Sequence, residues 1–251
     1  MIIFGITGAI GHGKSTLAEA FGRVEVNARH LEAFTVVAQV VEQWHSLTSH
    51  VPNPHDLTEV NNWLALLPST LKETLDVGVD PNRLMITMND IMAQPELYEK
   101  LFTHLQNLEK NPGLLNSRIT EANKDNYRPI LQWLGGFLVA KVDPGIWFNE
   151  VMKRVMQAQD EGVQLCTVGG VRFPTDAAIV RQYGGKIILI NRPLVGDRDF
   201  ADPTERERIH IQPDITILND AGLKELVLVA QRLYADIKLG RLKARYDATA
   251  L

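Results

Sequence analysis

Gly8, Gly13, Lys14 and Ser15 stand in the spacing Gly-x4-Gly-Lys-Ser, within the run Gly8-Ala9-Ile10-Gly11-His12-Gly13-Lys14-Ser15-Thr16. These residue types at this spacing are suited to gripping a chain of phosphates. Glycines let the backbone curl until successive N–H groups point at one anion. A helix opening at the lysine adds the positive end of its dipole. Lys14 then reaches the outer phosphates and Ser15 offers a hydroxyl to Mg²⁺. At average residue frequencies a chain of this length carries the pattern by chance roughly once in a hundred. Its setting sharpens the reading, because an apolar run precedes it and a helical pattern follows. Gly8, Gly11, His12, Gly13, Lys14, Ser15 and Thr16 are therefore the expected ATP-binding residues, with Ser15 toward the metal. The cradle calls on the backbone of His12, whose ring is expected to face solvent.

Other residues with reactive side chains give weaker patterns. His45, His50 and His55 recur every five residues, without the further histidine or cysteine of a zinc site, and read as loop residues. Cys166 lies inside an apolar run and reads as a small core residue. Asn219-Asp220 follows a strand pattern and is expected to cap the next helix, with contact to a nucleotide base the alternative.

The elements that must position the loop follow from hydrophobic spacing. Ile2–Thr7 is a continuous apolar strand, and Leu17 onward is a helix. Leu31 to Trp44 has apolar residues at helical spacing, as do Leu57–Leu67 and Pro95–Lys110. Leu84–Met88 is a short candidate strand. Helices are expected over Ile130–Val139, Pro144–Gln159, Thr175–Tyr183 and Leu223–Ile237. Strands are expected over Val163–Val168, Lys186–Asn191 and Ile215–Leu218. Strands alternating with helices predict an α/β three-layer sandwich, a parallel sheet flanked by helices, of the P-loop NTPase type. The proline- and asparagine-rich stretch 46–126 predicts a mostly helical inserted lobe. Segments 1–45 and 127–251 form the core, with an Arg- and Asp-rich lid at about 192–212.

Composition narrows the function classes. The 251 residues are 45% apolar and 22% charged, as in an ordinary globular protein. Twenty-six basic and 30 acidic residues give a net charge of −4, which argues against a nucleic-acid partner. A single cysteine excludes a disulfide framework and a multi-cysteine zinc site. No apolar run approaches the roughly 20 residues of a membrane span, and the first residues lack the basic stretch of a signal peptide. A cytoplasmic protein acting on small molecules is the expectation.

Several blocks resemble one family. Arg128-Pro129-Ile130-Leu131-Gln132-Trp133-Leu134-Gly135-Gly136, followed by Asp143-Pro144-Gly145-Ile146-Trp147, is similar to a block of the phage-type deoxynucleoside monophosphate kinases. Val171-Arg172-Phe173-Pro174-Thr175-Asp176 with Gly184-Gly185 resembles another, and Ile190–Pro193 and Ile215–Asp220 resemble the family's last two strands. The resemblance covers about the first 45 residues and about 127–240. It implies transfer of a phosphoryl group from ATP, with Mg²⁺, to a (deoxy)nucleoside monophosphate, by a homodimer in the host cytoplasm if phage-encoded. It implies that Arg128, Gly135, Gly136, Trp147, Arg172 and Asp176 line the acceptor site, and that Arg192 begins the lid. Lys14, Arg172 and Arg192 are the implied catalytic groups. Chemistry agrees at Arg172, which follows a predicted parallel strand, where ligands of such sheets collect. An arginine also grips phosphate through two parallel hydrogen bonds. The chain departs from the family at Gly170, where an Asp is usual, at Gly136, where a Thr is usual, and around Leu31–Thr35, which lacks the family's lysine. The missing acid must then come from elsewhere in the chain, with Asp176 one candidate. Two alternatives follow. The loop also looks like that of the dephospho-coenzyme A kinases, and the missing acid suits a non-catalytic nucleotide-binding protein.

Overall fold

Ile2–Thr7 forms β1 in a computed structural model that describes residues 1–75, 86–193, 195 and 207–248. Five of its six residues are buried, because neighbours lie on both sides and helices on both faces. β1 leads through the glycine loop into α1, Lys14–Val24, whose Leu17, Ala18, Ala20 and Phe21 turn inward. The rings of Phe4 and Phe21 stack at 5.1 Å. Each such fully buried side chain contributes about 1.5–3 kcal/mol, which fixes both ends of the loop on the core.

The chain continues as β2 (Ala28–Glu32), α2 (Ala33–Ser46), α3 (Leu57–Leu64), α4 (Leu67–Thr74), α5 (Met88–Met92) and α6 (Pro95–Lys110). Then come α7 (Arg128–Lys141), α8 (Ile146–Asp160), β3 (Leu165–Gly169), α9 (Pro174–Gln182), β4 (Lys186–Asn191), β5 (Ile215–Leu218), α10 (Leu223–Lys238) and β6 (Arg245–Asp247). Among the described residues the strands form one six-stranded sheet in the order β2-β3-β1-β4-β5-β6. Every neighbouring pair is parallel. The expected α/β architecture, a parallel sheet flanked by helices, is therefore present. Because all strands run one way, the residues at or after their C-terminal ends gather on one edge: Glu32, the glycine loop, Arg172, Arg192 and Asn219.

The chain divides into two compact units, Met1–Ala33 with Val151–Leu251, and Phe34–Glu150. The first holds the sheet. The second is helical, and wider than the 46–126 lobe expected from composition, since α7 and most of α2 belong to it. Its core is aromatic. Trp44 stacks on Trp63 at 3.9 Å, Trp133 stacks on Phe137 at 5.1 Å, and the Trp44 indole donates to the Trp63 carbonyl at 3.0 Å. Asp56 caps α3 by accepting from the N–H groups of Thr58 and Glu59.

One expectation changes, one lies largely outside the described residues, and one strand was not foreseen. Leu31 and Glu32 end a strand rather than begin a helix, because Ala28–Glu32 pairs with Leu165–Gly169 before α2 starts. The strand expected over Leu84–Met88 falls outside the described residues up to 85, and Met88 opens α5. β6 is only three residues long, too short to leave a pattern in the sequence.

Candidate functional site

The glycine loop closes over its own lysine. Lys14 Nζ donates to the carbonyls of Gly8 at 2.7 Å and Ala9 at 3.0 Å, which holds the ammonium above the curl. Gly13 precedes α1 with φ 99° and ψ 27°, a left-handed conformation costly for any residue with a Cβ. A Cβ there would also sit 2.6 Å from Asn219 Nδ2, and one on Gly8 would sit 2.5 Å from the Ile190 carbonyl oxygen. The loop thus lies against the ends of β4 and β5. Gly13 gives α1 no side-chain cap. The first-turn N–H groups are thereby left to backbone, water or an anion. Ser15 is exposed in that first turn.

His12 differs from its expectation. It is 3% exposed rather than solvent-facing. Its ring Nδ1 accepts from the Arg192 N–H at 3.3 Å, and its carbonyl accepts from Asn219 Nδ2 at 2.9 Å. Asn219 is accordingly a brace for the loop and not the helix cap. The residue before α10 is Gly222, with no side-chain capping bond.

On the other side of β1 the Thr7 hydroxyl donates to the Val171 carbonyl at 2.9 Å, joining the loop's first turn to the segment after β3. Gly169 ends β3 and Gly170 follows it. A Cβ built on Gly169 would collide with the Glu32 carboxylate, which reaches over from β2. His30 Nε2 lies 2.8 Å from Glu32 Oε1, and His30 Nδ1 lies 2.9 Å from Thr167 Oγ1. The carboxylate on one side of the ring is matched on the other by the Thr167 hydroxyl and carbonyl, the carbonyl oxygen 3.2 Å from Nδ1, and whether Nδ1 donates or accepts follows from the tautomer. The sheet therefore presents a clamped, partly exposed carboxylate beside position 170, where the sequence lacks an acid. Glu32 is not legible from the sequence, because helical spacing from Leu31 onward runs through it and no local signal tells which neighbour fills the space over a glycine.

Arg172 is exposed just after this point. Asp176, at the start of α9, is buried and accepts from the N–H groups of Arg172 and Phe173, both at 2.9 Å. Burial raises its carboxyl to about 6, against the opposing pull of those two N–H groups and the Arg172 charge. Asp176 shapes the turn that carries Arg172. Arg192 is exposed at the end of β4. Within the expected lid, residue 194 and residues 196–206 lie outside the described residues, and with them Arg198 and Arg206.

The remaining expected acceptor residues belong to the helical unit. Arg128 begins α7 and pairs with Asp125 at 2.6 Å. Gly135 and Gly136 sit in the middle of α7. A Cβ on Gly135 would meet nothing within 4 Å, and one on Gly136 only Leu97 at 3.6 Å. Packing does not require either glycine. Trp147 is buried, its indole donating to the Gly135 carbonyl at 3.1 Å.

Outside these groups, His45 is not a loop residue. It is buried in α2, with its Nε2 3.1 Å from that of His104, the two rings nearly coplanar in orientation at 5°. His50 and His55 are exposed. Cys166 is buried in β3, and burial pushes its thiol up to about 12. Among the described residues no three His, Cys, Asp or Glu side chains converge on a point that could hold a metal ion. No described helix is long and apolar enough to cross a membrane.

No family model matches the chain, and no curated protein matches it.

Proposed function

We propose that the protein is a P-loop kinase, transferring the γ-phosphoryl group of ATP to a (deoxy)nucleoside monophosphate. The observation that carries this reading is the glycine loop. Its curl, its lysine and an uncapped helix start lie together on the C-terminal edge of a parallel sheet. Lys14 exchanges the Gly8 and Ala9 carbonyls for phosphate oxygens, and the loop amides take the rest of the chain of phosphates. The donor set fits Mg²⁺ carried by phosphate oxygens, the Ser15 hydroxyl and water, as this ion prefers; when bound it neutralises charge on the transferring group. Arg172 and Arg192 supply guanidinium groups to the acceptor phosphate and the transferring group. Arg128, Gly135, Gly136 and Trp147 are the positions proposed for the acceptor nucleotide, and Asp176 acts by holding the Arg172 turn. A phosphate acceptor is already anionic at neutral pH and needs no protein base.

One observation favours a second reading. A carboxylate clamped by an imidazole, as Glu32 is by His30, is what a hydroxyl acceptor needs to lose its proton. That suits dephospho-coenzyme A better than a monophosphate. The test is transfer from ATP–Mg²⁺ to each of the four deoxynucleoside monophosphates, their ribose counterparts and dephospho-coenzyme A, with Lys14→Ala as the blank. Transfer to a monophosphate, lowered by about 10²-fold or more in Lys14→Ala, supports the first reading. Transfer to dephospho-coenzyme A alone supports the second. Tight ATP binding with transfer to no acceptor overturns both and leaves a nucleotide-binding protein.

A further inference from the structure

Three of the hydrogen bonds at His12 run in different directions, one within the loop and two out of it. Its N–H donates to the Ala9 carbonyl at 3.2 Å and so closes the loop's own turn. Its carbonyl takes the Asn219 amide from beyond β5, and its ring takes the main-chain N–H of Arg192 from beyond β4. An Nδ1 that accepts places the proton of a neutral ring on Nε2. Cradle chemistry uses main-chain groups, so the identity of the side chain at this position is not set by phosphate binding. Burial at 3% and a main-chain partner 180 residues away need another account.

We propose that His12 is a positioning residue, tying the main chain at Arg192 to the glycine loop so that a nucleoside triphosphate seated there also fixes where the Arg192 guanidinium begins. This rests on the loop being a triphosphate site. The ring links the amides that hold the donor to the first arginine on the far side of β4. Loop and arginine then respond to occupancy as one piece.

Amide hydrogen exchange of the peptide containing Arg192 tests this, with and without ATP–Mg²⁺. His12→Asn places an acceptor oxygen close to where Nδ1 lies. His12→Phe keeps an aromatic ring of similar volume without an acceptor. Wild type and His12→Asn should protect the Arg192 N–H, and ATP should slow its exchange further. In His12→Phe exchange should be about tenfold faster, the scale of one hydrogen bond, and insensitive to ATP. Calorimetry on each variant sets the ATP concentration that saturates its loop, so that exchange is compared at equal occupancy. Should His12→Phe fail to fold, His12→Leu removes the same acceptor. Identical exchange in wild type and the acceptor-free variant overturns the proposal and leaves His12 as packing. Failure of the wild type to bind ATP overturns the nucleotide reading and the coupling together. It is distinguishable from the first failure, since the nucleotide-free comparison still reports the hydrogen bond.

Discussion

Lys14 and Glu32 are charged groups whose hydrogen-bond partners bear on what each can do. The lysine's partners include two carbonyl oxygens of its own loop, weaker acceptors than a phosphate, which a triphosphate bound as proposed would displace. Glu32 is fixed by His30 while more than a quarter of its side chain stays exposed. Glu32→Gln removes charge and basicity at constant shape. With a hydroxyl acceptor, loss of the base should lower kcat by about 10²-fold or more, with ATP affinity unchanged by calorimetry. With a phosphate acceptor, which needs no base, kcat should change by less than about tenfold. A wild-type profile in both measurements removes Glu32 from the site.

Among the elements, α7 carries two adjacent glycines for which packing gives no reason. Each costs about 1 kcal/mol relative to alanine in a helix interior. Gly135→Ala should therefore stabilise the helical unit by about that amount in urea unfolding. If Gly135 leaves room for the acceptor, the same change should raise the acceptor KM with ATP affinity intact. Stabilisation with unchanged KM would mark the pair as incidental. The element scale is also where the sequence was easiest to read. Ile2–Thr7, Lys186–Asn191 and Ile215–Leu218 appear in the structure with the same bounds because each is a short apolar run bounded by polar or glycine residues. β2 escaped because its Ala-Arg-His-Leu-Glu lies at the sheet edge, paired on one side only, and runs straight into α2 with no turn residue between. The loop's chemistry was legible, since it depends on local backbone freedom. The burial of His12, the Asn219 brace and the Glu32 carboxylate over Gly169 were not, since each depends on which strands become neighbours.

The molecule as a whole contains opposed titrations. In the helical unit, burial lowers His45 from 6.5 to about 4, and lowers His104 well below its ordinary value, with charge on His45 acting the same way. Between those pH values the unfolded chain binds more protons, so this contribution is complete above 6.5 and is lost as pH falls toward 4. In the sheet unit, burial raises Asp176 from 3.8 to about 6. There the folded state holds the proton, so stability from this group is complete below 3.8 and is lost as pH rises through about 6. Shifts of this size are worth roughly 3 kcal/mol each. Hydrogen exchange corrected for intrinsic rates, from about pH 4.5 to 6.5, should show protection rising in α2 and α6 while it falls at the start of α9. Protection moving in the same direction in both would contradict these assignments. His45→Phe should flatten the first trend and Asp176→Asn the second.

The chain's single thiol is sealed inside β3 and stays protonated, so maleimide dyes should pass it by. An engineered cysteine in place of Val26, 97% exposed on the sheet unit, and another in place of Leu57, 56% exposed on the helical unit, could then be dye-labelled without first removing Cys166. Energy transfer between the two fluorophores would report directly whether nucleotide changes the distance between the units.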